Sequence, residues 1–310
     1  MTGGAYTDLN SLIALKHQGQ GFSFLPKQPI HSLLAGQKAS KLRGRGLNFE
    51  EIRTYLPGDD IRNIDWKVTA RMRTPHTRVY TEERDRPTLL VVDQRVNMFF
   101  GSKRAMKSVA AAEAAALGAW RVVDAGDRVG AIVFDDTDTK VIRPRRSTKT
   151  VMQILEAVVG QNQALSTSPE LVGRPEQLNE VLRKVTQIAK HDYLVCVLSD
   201  FDGADDQTRR LMTRLAQHND VLAGFVFDQL ETDLPELGPV VVGDGALQIE
   251  VDSDDGALRE KYKSAYEARV ETARKFLLQR QIPILPIDAG LPVAQQLRKL
   301  LGRRPKVQSR

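Results

Sequence analysis

Thr88-Leu89-Leu90-Val91-Val92-Asp93 is the run on which the fold turns. It carries four consecutive Leu and Val residues with no alternating polar position, and it stops on a carboxylate. An apolar run this short and this rich in β-branched residues predicts a strand covered on both faces, the environment of a parallel sheet. A second run of the same kind, Tyr193-Leu194-Val195-Cys196-Val197-Leu198, ends in Ser199-Asp200.

The segments between and after these runs alternate in type. Lys103 to Asp124 reads as a helix with an Ala-rich face that can lie close on a sheet, closed by Gly126-Asp127. Val129 to Phe134 and Thr139 to Ile142 read as strands around the polar turn Asp135-Asp136-Thr137-Asp138. Helices are expected from Lys149 to Val159 behind the cap Ser147, from Pro175 to Ala189, from Asp205 to His218, from Leu258 to Gln279 and from Pro292 to Leu301. Further strands are expected at Val221 to Phe227 and Ile282 to Ile287. The pattern predicts an α/β fold of three layers, a mostly parallel sheet with helices on both faces. Functional crevices in such folds lie at the carboxyl ends of the strands, so Asp93 and Asp200 are expected on one rim.

Upstream of Thr88 the character changes. Residues 1–86 are irregular and hold 14 Lys and Arg against 9 Asp and Glu, whereas residues 87–310 hold 31 against 30. The expected organisation is a small β-containing module at 1–86, the α/β domain at 87–302 and a basic tail at 303–310. A basic module can attract nucleic acid or an acidic partner. No helix-turn-helix or aromatic-studded RNA motif accompanies the charge, which argues against nucleic acid.

Composition narrows the class further. With 310 residues, 41% of them hydrophobic and 27% charged, the chain is an ordinary globular one, long enough for about two domains. The single Cys196 excludes a disulfide framework and a Cys-rich zinc site. The longest apolar stretch, Val109 to Val123, is interrupted by Glu113 and Arg121, and the N-terminus has no signal-peptide pattern. The expected location is therefore the cytoplasm. Phosphate-loop, dinucleotide-fold, zinc-protease and nucleophile-elbow motifs are all missing, and the five histidines show no ligand spacing.

The turn after the first strand is Asp93-Gln94-Arg95-Val96-Asn97-Met98. Its position resembles the metal-ion-dependent adhesion site of von Willebrand factor A domains. In that site a strand-end Asp, two hydroxyls, a Thr from a later loop and a second strand-end Asp hold Mg²⁺. Arg95 and Asn97 stand where the hydroxyls belong. Asn offers a carbonyl oxygen, but Arg offers only donors. Two arrangements are open: a residual, weak Mg²⁺ site at Asp93, Asn97, Asp200 and Thr167, or a metal-free fold with Asp93 held by Arg95 or loop amides. In the second, the rim of Asp93, Arg95, Asn97, Thr167 and Asp200 is a candidate surface for a protein partner, with Arg95 receiving an acidic group.

The other informative stretch runs from Gly46 to Arg71. It contains Phe49-Glu50, Arg53, Tyr55, Pro57-Gly58-Asp59-Asp60, Arg62, Ile64-Asp65-Trp66 and Ala70-Arg71. Pro-Gly-Asp-Asp marks a turn, and the alternation of Arg with Asp and Glu makes salt bridges easy. Trp66 is expected to be buried and to stabilise the junction between module and domain.

This stretch, with Met98 and Phe100-Gly101 later, resembles the hallmark of the bacterial family called domain of unknown function 58. The resemblance covers about Gly36 to Gly302, and its hallmark residues are Glu50, Arg53, Tyr55, Gly58, Asp59, Asp60, Arg62, Asp65, Trp66 and Arg71. It implies a von Willebrand A-like fold and a partnership with MoxR-type AAA+ ATPases in the maturation of other proteins. No catalytic activity and no cofactor attach to the family. Unlike many relatives, this sequence shows no transmembrane helix near its start and no Ser after the strand-end Asp. The alternatives are a Mg²⁺-dependent hydrolase using Asp93 and Asp200, and a nucleic-acid binder using the basic module.

Overall fold

The computed structural model describes residues 4–19, 47–57, 59–82, 86–166, 172–232, 238–243, 248–252, 254–257, 259–261, 263–264 and 282–301. The expected tail at 303–310, and most of the helix expected at 258–279, lie outside the described residues. The chain divides into two compact units, residues 35–86 and residues 1–34 with 87–310.

The larger unit opens with helix α1 (Leu9–Ala14), capped by Asp8, whose carboxylate accepts from Ser11 N. The smaller unit contains β1 (Leu47–Thr54), α2 (Trp66–Met72) and β2 (His76–Glu82). The larger unit continues with β3 (Thr88–Asp93), α3 (Lys107–Asp124), β4 (Val129–Phe134), β5 (Thr139–Arg145), α4 (Thr148–Ala164), α5 (Gln177–Ile188) and β6 (Leu194–Ser199). Then come α6 (Asp206–His218), β7 (Asp220–Phe227), α7 (Gln229–Thr232), the hairpin β8 (Pro239–Gly243) and β9 (Gln248–Asp252), β10 (Ile284–Asp288) and α8 (Val293–Leu301).

Six strands form one sheet in the order β10-β7-β6-β3-β4-β5, parallel except for β5, which runs antiparallel to β4. The run Thr88–Asp93 lies at its centre and is buried at every position. Period-2 alternation sends its side chains to two cores. Leu90 and Val92 join Ala131, Val133, Cys196, Leu198 and α3, α4 and α8 on one face. Leu89 and Val91 join Ile132, Val195, Val197, Phe225 and α5 and α6 on the other. The Ala-rich face of α3 is almost wholly buried, because small side chains let the helix lie close to the strands. Gly130 has a similar use at the register shift between β4 and β5: a Cβ there would stand 2.5 Å from the Ile142 carbonyl oxygen.

The N-terminal segment departs from the expected organisation. Leu12 and Leu15 belong to the α3–α4 core, Trp120 Nε1 donates to the Leu12 carbonyl at 3.2 Å, and Thr7 N donates to Asn162 Oδ1 at 2.8 Å. The described residues before 20 are therefore part of the α/β unit, and the expected module at 1–86 shrinks to residues 35–86. Amphipathicity in a six-residue helix is too brief to say which surface it joins. Leu12 is 0% exposed, so Leu12→Ala is expected to lower the unfolding free energy by about 2–5 kcal/mol in urea titration. A loss under about 1 kcal/mol would show that α1 is only loosely docked.

Candidate functional site

The rim at the carboxyl ends of β3, β6 and β7 holds an unusual density of buried charge. Asp93, Arg95, Lys107 and Asp200 are each at most 1% exposed, and Glu231 is 7% exposed. Ion-sized groups are left dry only when they are paired and hydrogen-bonded. The structure pairs all of them.

Asp93 turns its carboxylate on Arg95, two residues on. Arg95 Nη2 donates to Oδ2 at 2.8 Å and Nε to Oδ1 at 3.1 Å, while Arg95 N also donates to Oδ1 at 3.0 Å. Ser199 Oγ, from the neighbouring strand, donates to Oδ2 at 2.6 Å. The rest of the guanidinium reaches the carbonyls of Pro175 and Asp202, each at 3.2 Å. Burial works against the charged guanidinium, but Asp93 outweighs it and raises the Arg95 pKa. Gly203 makes this convergence possible. At φ +76 it lies 2.5 Å, measured from its would-be Cβ, from Pro175 Cβ, a gap that only glycine leaves open.

Asp200 is clamped differently. Lys107, in the first turn of α3, donates from Nζ to Asp200 Oδ2 at 2.8 Å and to Glu231 Oε1 at 2.7 Å. Asn97 Nδ2 and Asp202 N donate to Asp200 Oδ1 at 2.8 and 2.9 Å. Burial raises the Asp200 pKa, yet the Lys107 ammonium and then the Arg95 guanidinium outweigh it, and the result is about 2. Lys107 shifts upward, its burial overcome by Asp200 and Glu231. A nearby carboxylate, Asp136, accepts from Val96 N and Arg174 N at 2.7 and 2.6 Å, but burial dominates and raises its pKa.

These shifts set a pH window. The stability held by Asp200 is fully present above its unfolded pKa near ~4 and is lost as pH falls toward about 2. Lys107 has the opposite sense: its share is present below ~10 and lost as pH rises through its raised folded value. Asp136, with a raised pKa, partly offsets the acid loss. Urea midpoints are expected to fall between pH 5 and pH 2, and Asp200→Asn should flatten that fall. An equally steep fall in the variant would assign the acid sensitivity elsewhere.

The smaller unit builds the hallmark stretch. β1 and β2 pair antiparallel, with a bulge between Phe49 and Glu51 where Glu50 sits. Arg53 forms a two-pronged pair with Asp59, both contacts at 2.8 Å, and Asp59 Oδ2 also accepts from Leu56 N at 2.9 Å. The Arg53 hydrogen bond, then the Leu56 amide, lower the Asp59 pKa. Asp60 Oδ1 accepts from Arg62 N at 3.0 Å, while Tyr55 N donates to the Pro75 carbonyl at 2.8 Å. Asp65 caps α2 through Lys67 N and Val68 N and takes Arg78 Nε at 2.9 Å; the Val68 amide, then Arg78, lower its pKa.

A sequence-family profile described as "Protein of unknown function DUF58" matches residues 51–272. The chain belongs to the DUF58 family. It is 30% identical over 257 residues to the uncharacterized protein Rv1480 of Mycobacterium tuberculosis and to the uncharacterized protein Mb1516 of Mycobacterium bovis. Each alignment covers 80% of this chain and 77% of the relative. A solved structure, the conserved hypothetical protein BatB from Bacteroides thetaiotaomicron, aligns at 15% identity with a TM-score of 0.35, over 69% of this chain and 98% of that one.

Several expectations change in this DUF58 protein. The rim does gather Asp93, Arg95, Asn97 and Asp200, but Arg95 is buried and cannot receive a group from outside. Asn97 presents its amide N–H to Asp200, not a carbonyl oxygen to a cation. Thr167 and Gly58 lie outside the described residues. Trp66 is 68% exposed, so the expected burial of this residue is corrected: it is the first residue of a short helix capped by Asp65. Arg62 and Arg71, expected in salt bridges, are exposed and make none among the described residues.

The donor set at the rim does not fit Mg²⁺. A hard cation needs about six oxygen ligands, and the oxygens of Asp93 and Asp200 already accept from Arg95, Ser199, Asn97 and Lys107. Among the described residues, no group of three or more His, Cys, Asp or Glu is placed to hold a metal. Millimolar Mg²⁺ is therefore expected to leave the melting temperature unchanged; a saturable rise abolished by Asp200→Ala would contradict this. Sequence reasoning missed Lys107 and Glu231. The available signal was a Lys in the first turn of an otherwise Ala-rich buried helix, beside a rim with two strand-end carboxylates.

Proposed function

We propose that this protein is a non-enzymatic interaction adaptor, working in the cytoplasm with a MoxR-type AAA+ ATPase on the maturation of other proteins. The ATPase partner is what the family resemblance implies. The observation that carries the non-enzymatic half is the closed rim. At the place where an α/β sheet ordinarily does its chemistry, both strand-end carboxylates are dry and neutralised by Arg95 and Lys107. A hydrolase needs a carboxylate free to polarise water or bind a metal, and neither Asp93 nor Asp200 has that freedom. Cys196 supports the same reading, since burial pushes its thiol up to about 12 and away from nucleophilic use. Among the described residues no helix is long and apolar enough to cross a membrane, which accords with a partner reached from solution.

The experiment is co-migration of the purified protein with the MoxR-type ATPase of the same organism, with ATP turnover followed in parallel. A stable complex, or a change in turnover that saturates with added protein, supports the adaptor reading. Independent migration with unchanged turnover in every nucleotide state overturns it.

A further inference from the structure

Five of the nine exposed large apolar side chains among the described residues fall within Ile52–Met72: Ile52, Leu56, Ile61, Trp66 and Met72. They lie on neighbouring elements of one unit: the β1–β2 hairpin, the turn after β1 and helix α2. Ile52 is the cross-strand partner of Arg78, so the two share a face of the β1–β2 hairpin. Arg78 reaches Asp65, which caps the helix that Trp66 begins. Leu56 and Ile61 flank the turn held by Asp59 and Asp60. Met72 ends the helix, and Arg73 follows it in a left-handed conformation at φ 58.

The charge around these groups is lopsided. Asp59, Asp60 and Asp65 are all engaged internally, by Arg53, by a backbone amide and by Arg78 with the α2 cap. Arg62, Lys67, Arg71 and Arg73 are exposed and have no ion pair among the described residues. Lys67 and Arg71 stand one helical turn apart, a like-charge spacing that weakens a helix unless an anion lies beside it. Trp, Met and Arg are the side chains enriched in protein interfaces, with Trp and Arg the commonest energetic anchors. Four of the five apolar groups are aliphatic or thioether and offer no face on which a nucleobase could stack.

We infer that this apolar face, fringed by Arg62, Lys67, Arg71 and Arg73, is the docking surface of the protein, and that it takes an acidic protein surface bearing apolar side chains. The inference rests on the adaptor reading and says where that adaptor grips. Trp66 enters an apolar pocket of the partner, and the four cations meet its carboxylates. Desolvated contact with Trp66 supplies affinity, while the charges set orientation and on-rate.

The two tryptophans supply a direct probe. Trp120 is 3% exposed and shielded from quenchers, so iodide quenching reports on Trp66. The purified MoxR-type ATPase is titrated into the full-length protein, with a thymidine oligonucleotide and anionic phospholipid vesicles as separate probes. The expected result is a blue shift and loss of iodide quenching with the ATPase alone. Trp66→Ala is expected to weaken binding about thirtyfold, and Lys67→Glu with Arg71→Glu at least tenfold, at unchanged melting temperature. Added salt should weaken the wild type more than the charge-reversed protein. ATPase binding that leaves Trp66 quenchable and tolerates all three substitutions overturns this surface while leaving the adaptor reading intact. Wild-type protein that does not bind the ATPase overturns both. Protection of Trp66 by the oligonucleotide or the vesicles, without the ATPase, replaces the protein partner by that class.

Discussion

Lys107→Met should lower the unfolding free energy by roughly 3–5 kcal/mol. The replacement fits the space of the lysine stem but removes the ammonium that sits 2.8 Å from Asp200 and 2.7 Å from Glu231. Both carboxylates then stay dry with no cation on that side. The cost arises from the stranded charges more than from the lost attraction, because a buried ion pair as a whole contributes little net stability. Lys107→Met with Asp200→Asn should therefore recover part of the loss, since one stranded charge is removed with its partner. The check is the urea midpoint of the three proteins, with the slope held constant. If Lys107→Met alone shifts the free energy by under about 1 kcal/mol, water reaches the cluster and the closed-rim account fails. If the double variant is no better than the sum of its parts, the two groups are not coupled.

Arg95→Leu is expected to be of similar size, again about 3–5 kcal/mol. Here the stranded group is Asp93, left with the Ser199 hydroxyl and the Arg95 backbone amide as donors. Two carbonyls lose a donor as well, those of Pro175 and Asp202, which tie the loops after α4 and β6 to the rim. Arg95→Lys is expected to recover little of the stability. A lysine ammonium presents one point of charge, whereas the guanidinium grips both carboxylate oxygens and the two carbonyls in a fixed plane. The guanidinium also lies 5.7 Å from the Phe134 ring centroid, a contact a compact ammonium would not repeat. Thermal unfolding of both variants tests this; full stability in Arg95→Lys would mean that charge alone, and not the planar fork, holds the turn. Arg95→Glu, which places a second carboxylate beside Asp93, is expected to prevent folding and so cannot report on partner binding.

The same residues show how far the chain could be read without coordinates. Thr88–Asp93 and Leu194–Ser199 were legible as central strands because a strand buried on both faces must be apolar throughout, whatever surrounds it. The β4–β5 pair and α4 to α6 followed from turn chemistry and caps: Ser147 accepts from Lys149 N, and Asp205 makes a capping box with Thr208. The β8–β9 hairpin was missed although its residue types carry the signal: the β-branched run Val240-Val241-Val242, the turn formers Gly243-Asp244-Gly245 and the alternating Gln248-Ile249-Glu250-Val251. At the rim, the opposition of Arg95 to Asp93 was visible two residues apart in the chain, but the burial that makes it permanent was not.

What the sequence by itself determined is the layered α/β architecture, the placing of Asp93 and Asp200 on one strand-end rim, and family membership through the Gly46–Arg71 stretch. Those properties are written in local periodicity and in short spacings, which survive without knowledge of distant contacts. Tertiary structure alone decided the rest. Lys107 meets an Asp 93 positions away and a Glu 124 positions away, and no spacing rule relates such residues. The N-terminal helix joined the α/β core because Leu12 found a surface between α3 and α4 that exists only once the sheet has formed. Trp66, the most apolar-looking anchor of its stretch, is 68% exposed at the first position of the short helix that Asp65 caps. Burial is a property of what the whole chain leaves room for, and a side chain's own hydrophobicity does not fix it.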